Sequence, residues 1–148
     1  MALQRLSAIL CAAWLGALLC IAGLAAPSAF AVLERSSAGA LVARLFAVEA
    51  PASLLLSLAL VLLDRWRMKR EATQVNLSAA MLLALAALFC TVVGYYVLQP
   101  LMAQARVGQG GALSFAQLHG ISLGLFGLKM ALVAVLAWRL TAASDSRL

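Results

Sequence analysis

The chain has 148 residues, of which 66% are hydrophobic and only 11% are charged. A soluble domain is about half apolar and about a quarter charged, so the composition excludes an ordinary water-soluble domain and places most of the chain in lipid. The net charge of +6 comes from side chains that flank apolar runs, with no basic stripe interleaved with aromatics. It excludes nucleic-acid binding and reads as a topology signal and as contacts to anionic headgroups.

A helix that crosses the hydrocarbon core needs about 20 apolar residues. Four segments meet that length: 6–33, 45–63, 77–98 and 115–138. They are continuous and rich in Ala and Leu, without the alternation of a barrel strand, and only helices or closed barrels satisfy their backbone in lipid. The expectation is an all-α integral membrane four-helix bundle forming a single domain over 1–148. The first segment also has some features of a secretory signal, since "MALQR" is basic and "PSAFA" ends in small residues. Its apolar stretch before Pro27 exceeds the usual 7–15 residues of a signal core, so it is read as a span that is retained.

Orientation follows from Lys and Arg in the short loops. Arg5, Arg65, Arg67, Lys69, Arg70, Arg139 and Arg147 lie on one side, and Arg35, Arg44 and Arg106 on the other. Seven against three places both termini and the "DRWRMKR" loop in the cytoplasm. Trp66 and Trp138 mark the inner interface, Tyr95 and Tyr96 the outer one. Between the first two spans, Ser36 or Ser37 is placed to N-cap a helix running into the second. The connection "QPLMAQARVGQGGALS", with Pro100 and three glycines, reads as a loop.

Pro27 and Pro51 each remove a hydrogen bond to the residue four before, freeing the carbonyls of Gly23 and Ala47. Gly120, Gly124 and Gly127 form one stripe on the fourth helix, and Gly16, Cys20 and Gly23 another on the first. Both read as packing faces. Cys11, Cys20 and Cys90 form no metal or redox motif and read as small packing residues.

The polar residues inside the spans are the candidates for function. His119 is the sole histidine, and Ser122 shares its helical face. Glu49, Tyr95 and Tyr96 fall at a similar depth, so one outer layer is expected to hold His119, Glu49, a tyrosine and the two proline kinks. The plainer readings pair Glu49 with Arg44 or water and His119 with a serine or a freed carbonyl. Lys129 lies deeper and is expected to face Ser53 or Ser57, or Cys90 and Thr91, or to reach toward the inner headgroups. An intramembrane charge is a functional hypothesis by default. One His with one Glu is too few ligands for a structural metal site, a lone imidazole cannot give bis-histidine haem, and no oxyanion hole accompanies His119 and Ser122. No cofactor and no catalytic residues are expected.

Two stretches carry a resemblance. "APSAFAVLERSSAGALVARLF", through Pro27, Phe30, Gly39 and Phe46, and "FAQLHGIS", through Phe115, His119, Gly120 and Ser122, resemble the signatures of a small membrane-protein family. It is named for transmembrane protein 205 and also known as domain of unknown function 4149. The resemblance implies an uncharacterised multi-pass protein of a bacterial inner membrane, and no known reaction. The helix plan is also similar to four-helix membrane proteins linked to copper uptake or haem chemistry, a likeness that transfers no function. Two roles follow: a non-enzymatic binding, accessory or assembly protein with a membrane-protein partner or a second copy of itself, or a ligand-handling protein with an outward pocket around His119 for a metal ion or small solute. A haem oxidoreductase is the third reading, weakened by the single imidazole.

Overall fold

The computed structural model describes residues 2–71, 77–109 and 111–145. Gly110 of the third connection and Arg147 of the charge count lie outside them. Among the described residues there are four long helices and no strand: α1 (Ala2–Val32), α2 (Arg35–Arg70), α3 (Ala79–Arg106) and α4 (Phe115–Asp145). All four are long and apolar enough to cross a membrane, and the chain is a multi-pass membrane protein. The helices run alternately up and down. α1 packs beside α2 and α4, and α3 beside the same two, so α1 faces α3 and α2 faces α4 across the diagonals. The end with the chain termini and the α2–α3 connection is the terminal end. The other is the loop end.

The helices are longer than the apolar runs. Only Leu33 and Glu34 separate α1 from α2, and Glu34 occupies the N-cap position of α2 without a side-chain cap. Ser36 and Ser37 therefore fall inside the first turn and do not cap it. α3 continues through Pro100 to Arg106, which corrects the reading of that stretch as loop. A π-helical segment, Val92–Val97, precedes Pro100, and another, Ile21–Ala25, precedes Pro27. A wider turn shifts the hydrogen-bond register ahead of the ring, so the chain passes the proline without leaving the helix. Pro51 is instead carried inside regular α-helix. Past Arg106 the chain turns at Gly108, whose φ of 74° favours glycine, while the Gln109 N–H closes the turn on the Gln104 carbonyl at 3.0 Å.

The starts of α3 and α4 are built from serines. The Ser78 hydroxyl accepts the Met81 N–H at 3.0 Å and caps α3. Before α4, Ser114 accepts the Gln117 N–H at 3.3 Å while Gln117 Oε1 accepts the Ser114 N–H at 2.9 Å. That is a capping box, encoded by "SFAQ".

The larger apolar core cluster draws on all four helices: Cys11, Trp14 and Leu18 of α1, Leu60 of α2, Ala84 and Ala87 of α3, and Val133 and Leu136 of α4. A smaller one joins Leu98 and Met102 to Leu118 toward the loop end. Leu24, Val32, Leu55 and Leu123 point outward, as lipid-facing residues do. Since lipid is as apolar as leucine, close packing and internal polar contacts hold such helices together.

Candidate functional site

Glu49, Ser53 and Ser57 recur every four residues on α2 and so lie along one face. That face is buried: Glu49 is 8% exposed, and Ser53 and Ser57 are fully enclosed. From the opposite helix, Lys129 extends across the bundle, 3% exposed, and its Nζ donates to Glu49 Oε1 at 2.7 Å. The same carboxylate oxygen accepts the Ser53 hydroxyl. Ser53 Oγ in turn accepts the indole N–H of Trp14, from α1, at 2.8 Å. One chain of contacts, Trp14 to Ser53 to Glu49 to Lys129, thus ties three helices together at the bundle centre.

The surroundings of the pair are apolar on one side and weakly polar on the other. The Lys129 ammonium sits 5.0 Å from the Phe126 ring centre, close enough for a cation–π contact. Phe126 meets Phe46 edge to face at 5.1 Å, again across the α2–α4 diagonal. The Cys90 thiol is buried near Lys129, and Thr91 returns its hydroxyl to the Ala87 carbonyl at 3.0 Å. Ser57 Oγ is buried with no hydrogen-bond partner among the described residues. Chemically, the layer is a carboxylate and an ammonium that neutralise one another, with a serine and an indole satisfying the carboxylate further.

The residues singled out from the sequence divide among different places. Glu49 joins Lys129 in the interior, not Arg44 and not His119. The reason is reach: Lys129 spans from α4 to the depth of Glu49, where a lone charge in lipid costs about 3 kcal/mol. His119 is exposed and stacks on Phe115, with ring centres 5.8 Å apart and planes 10° from parallel. Ser122 donates to the Gly94 carbonyl at 3.4 Å, inside the π segment of α3. Tyr95 and Tyr96 pack edge to face on each other at 5.1 Å. Among the described residues, no hydrogen bond, ion pair or ring contact joins Glu49, His119, Ser122 and the two tyrosines into one site.

The glycine stripes also lie elsewhere than expected. A Cβ added at Gly16, Gly23, Gly120, Gly124 or Gly127 would meet nothing within 4 Å. Among the described residues, open space stands where a packed neighbour would meet these glycines, and Cys20 is exposed. The larger side chains of the core cluster make the packing contacts instead. Of the remaining pattern positions, Pro27, Phe30 and Gly120 are exposed, and Gly39, Phe46 and Phe115 are half-buried.

A second polar cluster, not anticipated from the sequence, lies at the terminal end. Asp64, 5% exposed, receives Arg67 through Nη2 at 2.7 Å and Nε at 3.3 Å on Oδ1. It also accepts the Ser78 hydroxyl on Oδ2. This joins the end of α2 to the cap of α3. A cleft of about 220 Å³ opens beside it, with Gln4, Ser7 and Arg139 on its other walls. The signal was the acid of "DRWR" three residues before Arg67, a helical ion-pair spacing.

Among the described residues, no group of three His, Cys, Asp or Glu side chains is placed to hold a metal. No curated protein and no solved structure shows significant similarity to the chain. One family does match, over residues 9–110. The match takes in α1, α2 and α3, and with them Trp14, Glu49 and Ser53. It ends before α4, which carries His119, Ser122 and Lys129. The chain belongs to the family described as "Domain of unknown function (DUF4149)".

Proposed function

We propose that the protein is a non-enzymatic accessory or assembly protein of a bacterial inner membrane, and that its internal polar layer holds the four helices in one register. The observation that carries this reading is the Lys129–Glu49 pair, buried at 2.7 Å. Its polar partners, Ser53 and Trp14, come from the chain itself. A buried ion pair adds little net stability over an apolar replacement, and its best-attested use is to specify one arrangement over others. The resemblance to the transmembrane protein 205 group supports a small multi-pass membrane protein and names no reaction. The excess of basic side chains at the terminal end supports cytoplasmic termini.

The test is an absorption spectrum and elemental metal analysis of the full chain purified in mild detergent. The expected preparation is colourless and without stoichiometric metal. A Soret band or bound metal that disappears in His119→Ala would overturn the reading in favour of ligand handling at the loop end. Orientation is checked separately. A thiol introduced by Arg70→Cys should resist an impermeant reagent added outside intact cells, and labelling there would reverse the topology.

A further inference from the structure

We infer that the groove between the start of α2 and the end of α3 binds an anionic phospholipid, with the lipid phosphate held between Arg35 and Arg106. Arg35 is the first residue of α2, Arg106 the last of α3, and both line one groove of about 470 Å³ at the loop end. Both arginines lie past the apolar runs of their helices, on the headgroup side of the hydrocarbon core. Two guanidiniums from different helices there match a phosphate, which they bind through paired N–H donors.

Three further features agree. Neither arginine has a salt bridge among the described residues, whereas Arg67 at the terminal end is held by Asp64 and Glu71. The Arg106 guanidinium lies 4.6 Å from the centre of the Phe115 ring, which also lines the groove. This orients the cation along the wall. No side chain caps the first turn of α2, so its free N–H groups favour an anion at the same end. Glu34 is exposed and does not line the groove.

The floor decides for a lipid over a free anion. It consists of Gly39, Ala40 and Ala43 on α2, small residues that leave an apolar track along the helix. A soluble phosphate gains nothing from that track. An acyl chain attached to the phosphate lies along it and buries apolar surface.

The experiment measures lipid retention on the full chain by native mass spectrometry from detergent, comparing phosphatidylglycerol with phosphatidylcholine. Phosphatidylglycerol should be retained preferentially. A basic side chain near an anionic surface is worth about fivefold in affinity, so Arg35→Gln with Arg106→Gln should lower retention more than tenfold while the thermal midpoint stays unchanged. Arg44→Gln removes an equal charge per substitution at the same end, but Arg44 does not line the groove, and it should have little effect. Equal loss in Arg44→Gln would show diffuse attraction and overturn the site, as would equal retention of phosphatidylcholine. Displacement of the lipid by millimolar inorganic phosphate would overturn the assignment to lipid.

Discussion

Lys129 and Glu49 belong to helices that face one another across the bundle, yet their charged atoms meet at 2.7 Å. The pair joins a diagonal that backbone packing leaves open, and Ser53 and Trp14 link it to a third helix.

Removing one partner should be worse than removing both. Lys129→Leu leaves the Glu49 carboxylate buried and unpaired, and Glu49→Leu does the same to the ammonium. Each should cost about 3–5 kcal/mol. The double variant Glu49→Leu/Lys129→Leu should lie within about 1 kcal/mol of the parent or above it, because an apolar pair needs no desolvation. Unfolding in mild detergent measures all three. A double variant as unstable as the singles would show that the pair does more than neutralise itself.

The indole bond offers a spectroscopic check. Trp14 is 2% exposed, while Trp66 and Trp138 are 56% and 75% exposed. With Trp66→Phe and Trp138→Phe, the remaining emission reports the core. Ser53→Ala should strip the Trp14 N–H of its acceptor, shift that emission and destabilise by about 1–3 kcal/mol. An unchanged spectrum would argue against the hydrogen bond.

At the terminal end, Ser78 both caps α3 and donates to Asp64. Ser78→Ala should cost about 1–2 kcal/mol, the usual loss for a cap. Ser78→Asp keeps the cap and places a second carboxylate against Asp64, so it should restore little. Recovery in Ser78→Asp would assign the whole effect to the cap.

His119 is exposed and stacks on Phe115 of its own helix. His119→Ala should change stability by less than about 0.5 kcal/mol, as surface substitutions do. A larger loss in detergent would reveal a polar contact that the ring makes in the bundle.

The glycines of α4 make a further distinction. Since a Cβ at Gly124 meets nothing within 4 Å, Gly124→Ala should be neutral or stabilise by up to about 1 kcal/mol through helix propensity. A destabilising effect, or a change in oligomer size on a sizing column, would show that the stripe packs against a second copy.

Much of the architecture was legible in the amino-acid order. Four apolar runs of sufficient length imply four spanning helices, because lipid leaves the backbone few other ways to satisfy its polar groups. The ends were less legible. Pro100 read as a helix terminator, but the π segment before it absorbs the lost hydrogen bond and α3 continues to Arg106. The small-residue stripes read as packing faces, yet periodicity shows which residues share a face and not which neighbour that face meets.

The same limit governs the polar residues. Composition and periodicity determined that Lys129 is an embedded charge, but they set Glu49 in the outer layer with His119, because its depth was counted from the apolar run at 45 whereas α2 begins at Arg35. They also placed Ser53 and Ser57 within range of Lys129. Only the tertiary structure decided the pairing. It set α2 opposite α4, so that a lysine on a long flexible stem could cross the bundle to a carboxylate 80 positions earlier in the chain. It also turned His119 outward. Helix depth counted from an apolar run misses the turns that a helix adds beyond it, as α2 does before position 45. Helix rotation and neighbour identity are set by how all four helices pack at once, and those two quantities determine which charges meet.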